Sequence, residues 1–398
     1  MKKLNSGKIP QNNFRLFLFL PKKMKVKNFS PIFFLASLGA GGIAVMGFAF
    51  LQYTFLPFFF ENPKGLISLA QIPHGNLSIF NEILFRFLEL KMAAFAILHF
   101  VLTAIFIFQF LKWNRNDRRE FFADPLRNSA FLAIPLSIFM SMNVAIGPVR
   151  FFIPAFAANL QNLIPAAFAF WIFLLGAFLF LQIRILKISF ETKFDAEKIS
   201  FGNLLHSFSL LMAAVVGAGI AALSQNPEIA RAAFLISTVP FSAGVFLFFV
   251  KIAAIFRNHF GDENFGEKFL PSILIVVPNL TLAAISIFRF GHFFEKKFDA
   301  HLVAFFPAVL AIFFGLAIWY FLFGLAILRK KFCREVCANF TPQNWGLICP
   351  VVAIGVLASF VFRFFPFLIL KIFAVAAIFF AVVLFFKFLR RQFFKTNF

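Results

Sequence analysis

Residues 30–50 read SPIFFLASLGAGGIAVMGFAF. The stretch contains no charged residue, and about 20 mostly apolar residues are what a helix needs to cross ~30 Å of hydrocarbon. Nine more such stretches follow, so that the ten lie at roughly 31–54, 90–111, 128–149, 162–183, 203–224, 232–256, 271–290, 302–328, 345–363 and 367–389. The whole chain agrees with this reading. Of its 398 residues 61% are hydrophobic and 14% charged, and the mean hydropathy is +0.89. A soluble domain is about 45–50% apolar and about 25% charged. A soluble globular enzyme, a disordered chain and a coiled coil are therefore excluded. The unbroken runs also exclude an outer-membrane barrel, whose strands alternate. The fold class is an all-α polytopic membrane protein with ten transmembrane helices. Its parts are a basic tail over 1–30, a ten-helix domain over 31–389 and a C-terminal tail over 390–398. The 72 phenylalanines read as a compositional habit of lipid-facing positions.

The charge sets the orientation. There are 38 Lys and Arg against 16 Asp and Glu, a net +22. With ten spans both termini share one side. If that side is cytoplasmic, it holds 28 of the 38 basic residues. They lie in the N-terminal tail (Lys2 to Lys27), after span 2 (Lys112 to Arg127), after span 4 (Arg184 to Lys198), at the end of span 6 (Lys251, Arg257, Lys268), after span 8 (Arg329 to Arg334) and at the C-terminus (Lys387 to Lys395). Cytoplasmic loops carry such an excess. The basic balance is thus a topology signal rather than a sign of nucleic-acid binding. The tail lacks a signal-peptide pattern.

The odd spans start near 31, 128, 203, 271 and 345, and a repeat of roughly 70 residues with two helices per unit reads as five helical hairpins. Five hairpins can close into a ring around a central pore, with odd helices inside. The odd spans hold small and polar residues: Gly39, Gly41 and Gly42 in span 1; Pro135, Ser137, Ser141 and Asn143 in span 3; His206, Ser207, Ser209, Gly217 and Gly219 in span 5; Pro278, Asn279 and Thr281 in span 7; Cys349, Pro350, Gly355 and Ser359 in span 9. Tight helix packing and a central pathway account for them equally. Mid-helix prolines would kink spans 3, 7 and 9 and free the carbonyls of Phe131, Leu274 and Gly346.

No Asp or Glu falls in the middle of a span. Cation-coupled carriers keep carboxylates there, and an acidic ring would repel an anion. The pattern suits passive anion movement. Arg86, Lys91, Arg150, Arg231, Arg289, Arg363 and Lys371 lie towards the outer side, where each either attracts anions or snorkels to the headgroups. Lys251 lies inward in span 6. His99 and His206 fall within spans, as packing residues or as a proton relay. Cys333 and Cys337, in KKFCREVC, are two ligands and no metal site. No phosphate loop, zinc-binding histidine pair or nucleophile motif appears. No enzyme, cofactor or metal is expected.

Three stretches resemble the tellurite-resistance/dicarboxylate transporter family, which includes TehA-like proteins and the slow-type anion channels of plant guard cells. They are residues 30–50, DPLRNSAFLAIPLSIFM at 124–140 and WGLICPVVAIG at 345–355. The chain is also similar to the TsoY-like branch of that superfamily. The resemblance covers about residues 30–390. It implies ten helices with both termini cytoplasmic, a pore lined by odd helices, a homotrimer, and an anion channel or uniporter of the bacterial inner membrane. In the channels a phenylalanine of the ninth helix closes the pore. Here Cys349 stands at that position, so the gate candidates are Cys349, Phe131 and Phe360, and Cys349 reads equally as a small packing residue. The expected pore lining is Gly39, Gly41, Gly42, Pro135, Ser209, Pro278, Cys349 and Pro350. The expected partners are small anions and the lipid bilayer, with no nucleic acid. Two other readings remain open. One is a proton-coupled exporter or dicarboxylate or oxyanion carrier of the same fold, using His99 or His206. The other is a thiol-dependent membrane redox or assembly factor.

Overall fold

The computed structural model describes residues 29–55, 65–75, 77–192, 199–260, 272–299, 301–302, 304–331 and 340–393. Among them ten helices are long and apolar enough to cross a membrane: span 1 (Pro31–Phe55), span 2 (Ile79–Lys112), span 3 (Asn128–Phe152), span 4 (Leu160–Glu191), span 5 (Phe201–Leu223), span 6 (Pro227–His259), span 7 (Ser272–Phe298), span 8 (Phe305–Arg329), span 9 (Pro342–Phe362) and span 10 (Leu368–Gln392). No strand occurs among the described residues. Residues 1–28 of the basic tail, Cys333 and Cys337 lie outside them.

Burial divides the ten helices by parity. In the apolar stretches of the odd spans 67–100% of residues are buried, in those of the even spans 22–33%. Span 1 packs on span 3, span 3 on span 5, span 5 on span 7, span 7 on span 9, and span 9 returns to span 1. The even spans lie outside this closed circuit: span 2 against span 1, span 4 beside spans 3 and 5, span 6 against span 5, span 8 across spans 7 and 9, and span 10 across spans 9 and 1. Lipid tails are as apolar as leucine, so close approach through small residues, not hydrophobic burial, draws helices together in a bilayer. Gly217 shows how. The Trp171 ring of span 4 occupies the space a Cβ there would need, and its indole N–H donates to the Ala213 carbonyl at 3.0 Å.

Phenylalanine is not confined to lipid-facing positions. Phe80, Phe173, Phe246 and Phe249 point outward from even spans, but Phe34, Phe50, Phe85, Phe106, Phe139, Phe178, Phe385 and Phe388 are fully buried. Helices crossing at different angles leave wedge-shaped gaps, and edge-on ring pairs fill them. Phe139 and Phe178, 5.6 Å apart and T-shaped, join span 3 to span 4 in this way.

Each odd span opens with a 3₁₀ turn before its α-helix. The α segments of spans 3, 7 and 9 begin at Ala133, Val276 and Ile348, so Pro135, Pro278 and Pro350 are each the third residue of an α segment. This corrects the mid-helix reading. Each proline therefore stands just past the junction where 3₁₀ bonding gives way to α-helical bonding, not in the interior of an α segment. Irregular backbone occurs instead at the other end of the ring. Residues Leu51–Phe55 of span 1 and Ala145–Val149 of span 3 are π-helical.

Span 2 begins at Ile79, well before the expected residue 90. Ser78 caps it by accepting from the Asn81 N–H. Its first turns carry Glu82, Arg86 and Glu89, which look like a loop in sequence. They are satisfied locally: His74 contacts Glu82 at 3.0 Å and Glu89 at 2.8 Å, and Arg86 pairs with both carboxylates. At the other terminus the last helix runs on to Phe393, past the expected start of the tail at 390.

Candidate functional site

The ring of odd spans encloses a cavity of about 640 Å³. Its wall comes from Leu38 to Tyr53 of span 1, Met140 to Gly147 of span 3, Phe208 to Leu223 of span 5, Pro278 to Lys296 of span 7 and Cys349 to Arg363 beside span 9, with Gly65 and Leu66 from the loop after span 1. No even span contributes among the described residues. At 1.5 Å per residue, Pro278 to Lys296 covers about 27 Å, close to the hydrocarbon thickness.

A second cavity, about 660 Å³, opens at the face where the described chain starts. It is lined by the first turns of the same five spans, including Leu35, Ala130, Leu205, Ile275 and Gly346, and by Asp117 and Glu120 of the short helix Arg115–Ala123. In four spans the last residue of this vestibule and the first of the central cavity are three apart: Leu35 and Leu38, Leu205 and Phe208, Ile275 and Pro278, Gly346 and Cys349. Three residues rise about 4.5 Å. On these four spans about one helical turn separates the two chambers, while on span 3 ten positions part Ala130 from Met140.

The middle of the central wall is apolar: Val45, Met140, Met212, Val216, Ile285, Val352 and Val356. Its polar groups are donors with spare capacity. The Asn143 amide donates only to the Met212 thioether, at 3.5 Å, and the Thr281 hydroxyl has no partner. The far end is basic, with Arg289, Arg363, His292 and Lys296. Glu295, the one carboxylate of this wall, contacts His292 at 3.1 Å. Loop residues close over this end. Gln52 donates to the Gly65 carbonyl at 3.1 Å and accepts from the Ile67 N–H at 2.7 Å, while Arg150 donates to the Ile67 and Ile146 carbonyls.

Of the residues singled out in the sequence, Gly39, Gly42, Pro278 and Cys349 line the central cavity, and Phe360 lines its far end. Gly41, Pro135, Ser209 and Pro350 do not. A Cβ on Gly41 would meet His99 and Met140, so this glycine serves packing against spans 2 and 3. The Ser209 hydroxyl donates back to the Leu205 carbonyl at 2.7 Å, as serines inside helices do. Phe131 sits in an aromatic cluster with Phe110, Trp113, Phe121 and Phe122 and lines neither chamber, while Trp113 and Phe121 border the vestibule. Phe208 and Tyr53 were not singled out. Phenylalanine is too common here to flag one ring, and tyrosine, present twice, was the signal available.

Lys91 and Arg150, read as anion attractors or headgroup anchors, donate to backbone carbonyls instead. Lys91 donates to the Ile43 carbonyl at 2.9 Å, with Gly47 giving its ammonium room, and Arg150 is buried as described above. His206 is buried and lines neither chamber. His99 also lies outside both, in a knot joining spans 1, 2 and 3. Its Nδ1 donates to the Ser37 carbonyl at 2.8 Å and its Nε2 accepts from the Ser141 hydroxyl at 2.8 Å. The Ser37 hydroxyl continues the knot to Thr103 at 2.5 Å and to Ser137 at 2.8 Å. Both ring nitrogens are used by a neutral imidazole. His99→Gln is therefore expected to lower stability by about 1–3 kcal/mol, the cost of unsatisfied buried partners. Thermal unfolding in detergent measures this, and the pH profile of flux should stay as in the wild type; a changed profile would restore the relay reading.

A family model described as SLAC1, voltage-dependent anion channel, matches residues 28–389. No curated protein matches the chain.

Proposed function

The chain belongs to the SLAC1 family of voltage-dependent anion channels, and from that premise we propose that it passes small anions passively down their electrochemical gradient along the axis of the odd-span ring. The observation that carries this reading is the pair of chambers lined by the same five spans and parted on four of them by about one helical turn. A path with few formal charges in its middle lets a solute bind weakly and leave, and an apolar constriction closes by dewetting. A basic mouth concentrates anions before entry. The Asn143 amide, which donates only to the Met212 thioether, supplies a hydrogen-bond donor on the way.

In the same reading the chain sits in a bacterial inner membrane with both termini cytoplasmic, supported by the positive-inside count, and assembles as a homotrimer, supported by the family resemblance. The vestibule with Asp117 and Glu120 then faces the cytoplasm and the arginine-bearing end faces outward. The coupled-carrier alternative loses support, because His99 is held on both nitrogens and neither histidine lines a chamber.

The test is reconstitution into liposomes or planar bilayers, with currents measured as chloride, nitrate, thiosulfate and malate replace one another. A voltage-driven current that needs no pH gradient, and reverses where the anion gradient dictates, is expected. Flux that vanishes without a proton gradient would replace the channel by a coupled carrier.

A further inference from the structure

We propose that the stretch 65–75 is a proton-held strap across the far end of the central cavity: His74, protonated between Glu82 and Glu89, keeps it closed, and loss of that proton releases it. The strap rests on the conduction reading above and adds its control.

The strap has two moorings. One is at the cavity, where Gly65 and Leu66 belong to the wall. Gln52 holds the Gly65 carbonyl and the Ile67 N–H there, and Arg150 holds the Ile67 carbonyl. The other is His74, whose Nδ1 lies 3.0 Å from Glu82 and whose Nε2 lies 2.8 Å from Glu89 at the start of span 2. The chain between the moorings is tied to itself. The Ser68 N–H donates to the Gln71 side chain at 2.8 Å, the Ile72 N–H to the Leu69 carbonyl at 3.1 Å and the His74 N–H to the Ile72 carbonyl at 2.8 Å. Ile67 and Ile72 are buried. A shift at His74 is therefore carried along a short bonded stretch to the two residues at the cavity.

The geometry counts the protons. An ionised carboxylate only accepts hydrogen bonds, and a neutral imidazole has one N–H and one bare nitrogen. Between two carboxylates, one contact of a neutral ring sets acceptor against acceptor. The imidazolium donates to both, and such charge-assisted bonds are the strong ones. Arg86 pairs with the same two carboxylates, at 3.0 and 3.7 Å, so a protonated His74 leaves the cluster balanced at two charges of each sign. Loss of the proton leaves one negative charge in excess and one repulsive contact. The strap thus holds in acid and lets go as the pH rises. The other charged groups at this end are Arg150 on Ile67, Lys371 of span 10, 4.4 Å from the Phe55 ring centroid, and the His292–Glu295 pair with Arg289 and Arg363 across the cavity. The His292–Glu295 pair is a second proton-binding pair, and variants at His74 alone separate the strap's share from it.

The experiment records anion currents through the reconstituted full chain with equal pH on both sides, at about pH 5.5 and about pH 8.5, either side of the range in which histidine changes charge. The wild-type current is expected to rise by about tenfold at the higher pH, the scale of one hydrogen bond to a charged group. His74→Gln has no charge to lose and should pass the high current at both. His74→Arg keeps a charge and donors for both carboxylates, and should pass the low current at both. A current that rises with pH in either variant as it does in the wild type would overturn the proposal. A second readout needs no current. Leu66→Cys, combined with Cys333→Ser, Cys337→Ser and Cys349→Ser, is labelled by a hydrophilic maleimide in detergent. The same chain carrying His74→Gln is the reference at each pH, so that thiol ionisation cancels. Labelling relative to this reference should be slow in acid and rise by about tenfold towards the reference rate in alkali, on the same scale. A ratio that stays constant with pH would overturn the strap even where no current is recorded. A ratio that rises in a chain without current would uphold the strap and place the failure in the conduction reading.

Discussion

Phe208→Ala is expected to raise basal anion conductance by on the order of tenfold or more, equivalent to lowering a barrier by at least ~1.4 kcal/mol. Phe208 is buried at the floor of the central cavity, one turn above Leu205 in the vestibule. With Leu35, Leu38, Leu205 and Ile275 it builds the dry layer between the chambers. Water must fill such a layer before an anion can pass, and removing the largest ring from so thin a layer lets the two water columns meet. Single-channel recording or liposome efflux measures the change. Phe131→Ala should leave conductance as it is, because that ring packs in the aromatic cluster beside Trp113. Cys349 lies on the same floor, so adding Cys349→Phe to Phe208→Ala supplies a ring from the ninth span and should close the path again. A folded Phe208→Ala protein with wild-type conductance would show that the seal is elsewhere.

The difference between odd and even spans was readable because it shows in composition. Glycine and serine cluster in spans 1, 5 and 9, and a bilayer tolerates these residues where helices touch. The charge count fixed the expected sidedness for the same kind of reason, since each loop carries its own share. The gate was harder to read. The resemblance places Cys349 where the channels carry a phenylalanine, which made Cys349, Phe131 and Phe360 the gate candidates. Phe208 of span 5 lines the cavity floor beside Cys349 of span 9, and nothing in its own span marks it. Height within a membrane is shared between helices and cannot be read along one of them. The prolines misled because a 3₁₀ opening moves the start of each α segment to two residues before the proline, and no residue type announces that switch. Lys91 and Arg150 look like headgroup anchors until the Ile43 and Ile67 carbonyls are seen beside them. A carbonyl is available at every residue, so nothing in the sequence marks those two.

Trp345→Ala is expected to cost about 3–5 kcal/mol of stability, the usual range for truncating a buried large aromatic. In the sequence Trp345 was a motif residue, five positions before Pro350. In the structure it is the peg that fixes span 9 to span 10. It is fully buried in the 3₁₀ turn Pro342–Leu347, with its ring centroid 5.1 Å from Phe385, 5.8 Å from Phe388 and 6.2 Å from Phe340. Its indole N–H donates to the Gln392 side chain at 2.5 Å. In a bilayer no hydrophobic force presses span 10 against the ring, so packing and hydrogen bonds of this kind hold it there. Trp345→Phe keeps most of the ring contact but leaves the Gln392 oxygen without its donor, and should cost less, about 1–3 kcal/mol. Thermal or denaturant unfolding in detergent ranks the three proteins, with the alanine variant least stable. The loss should reach function as well. Gly346 in the vestibule and Cys349 at the cavity floor follow Trp345 within four residues, so a loosened turn shifts one wall of the seal. Leak should therefore rise in Trp345→Ala more than in Trp345→Phe. An alanine variant within about 0.5 kcal/mol of the wild type, the ordinary scatter of surface substitutions, would mean that span 10 is held by something other than this ring.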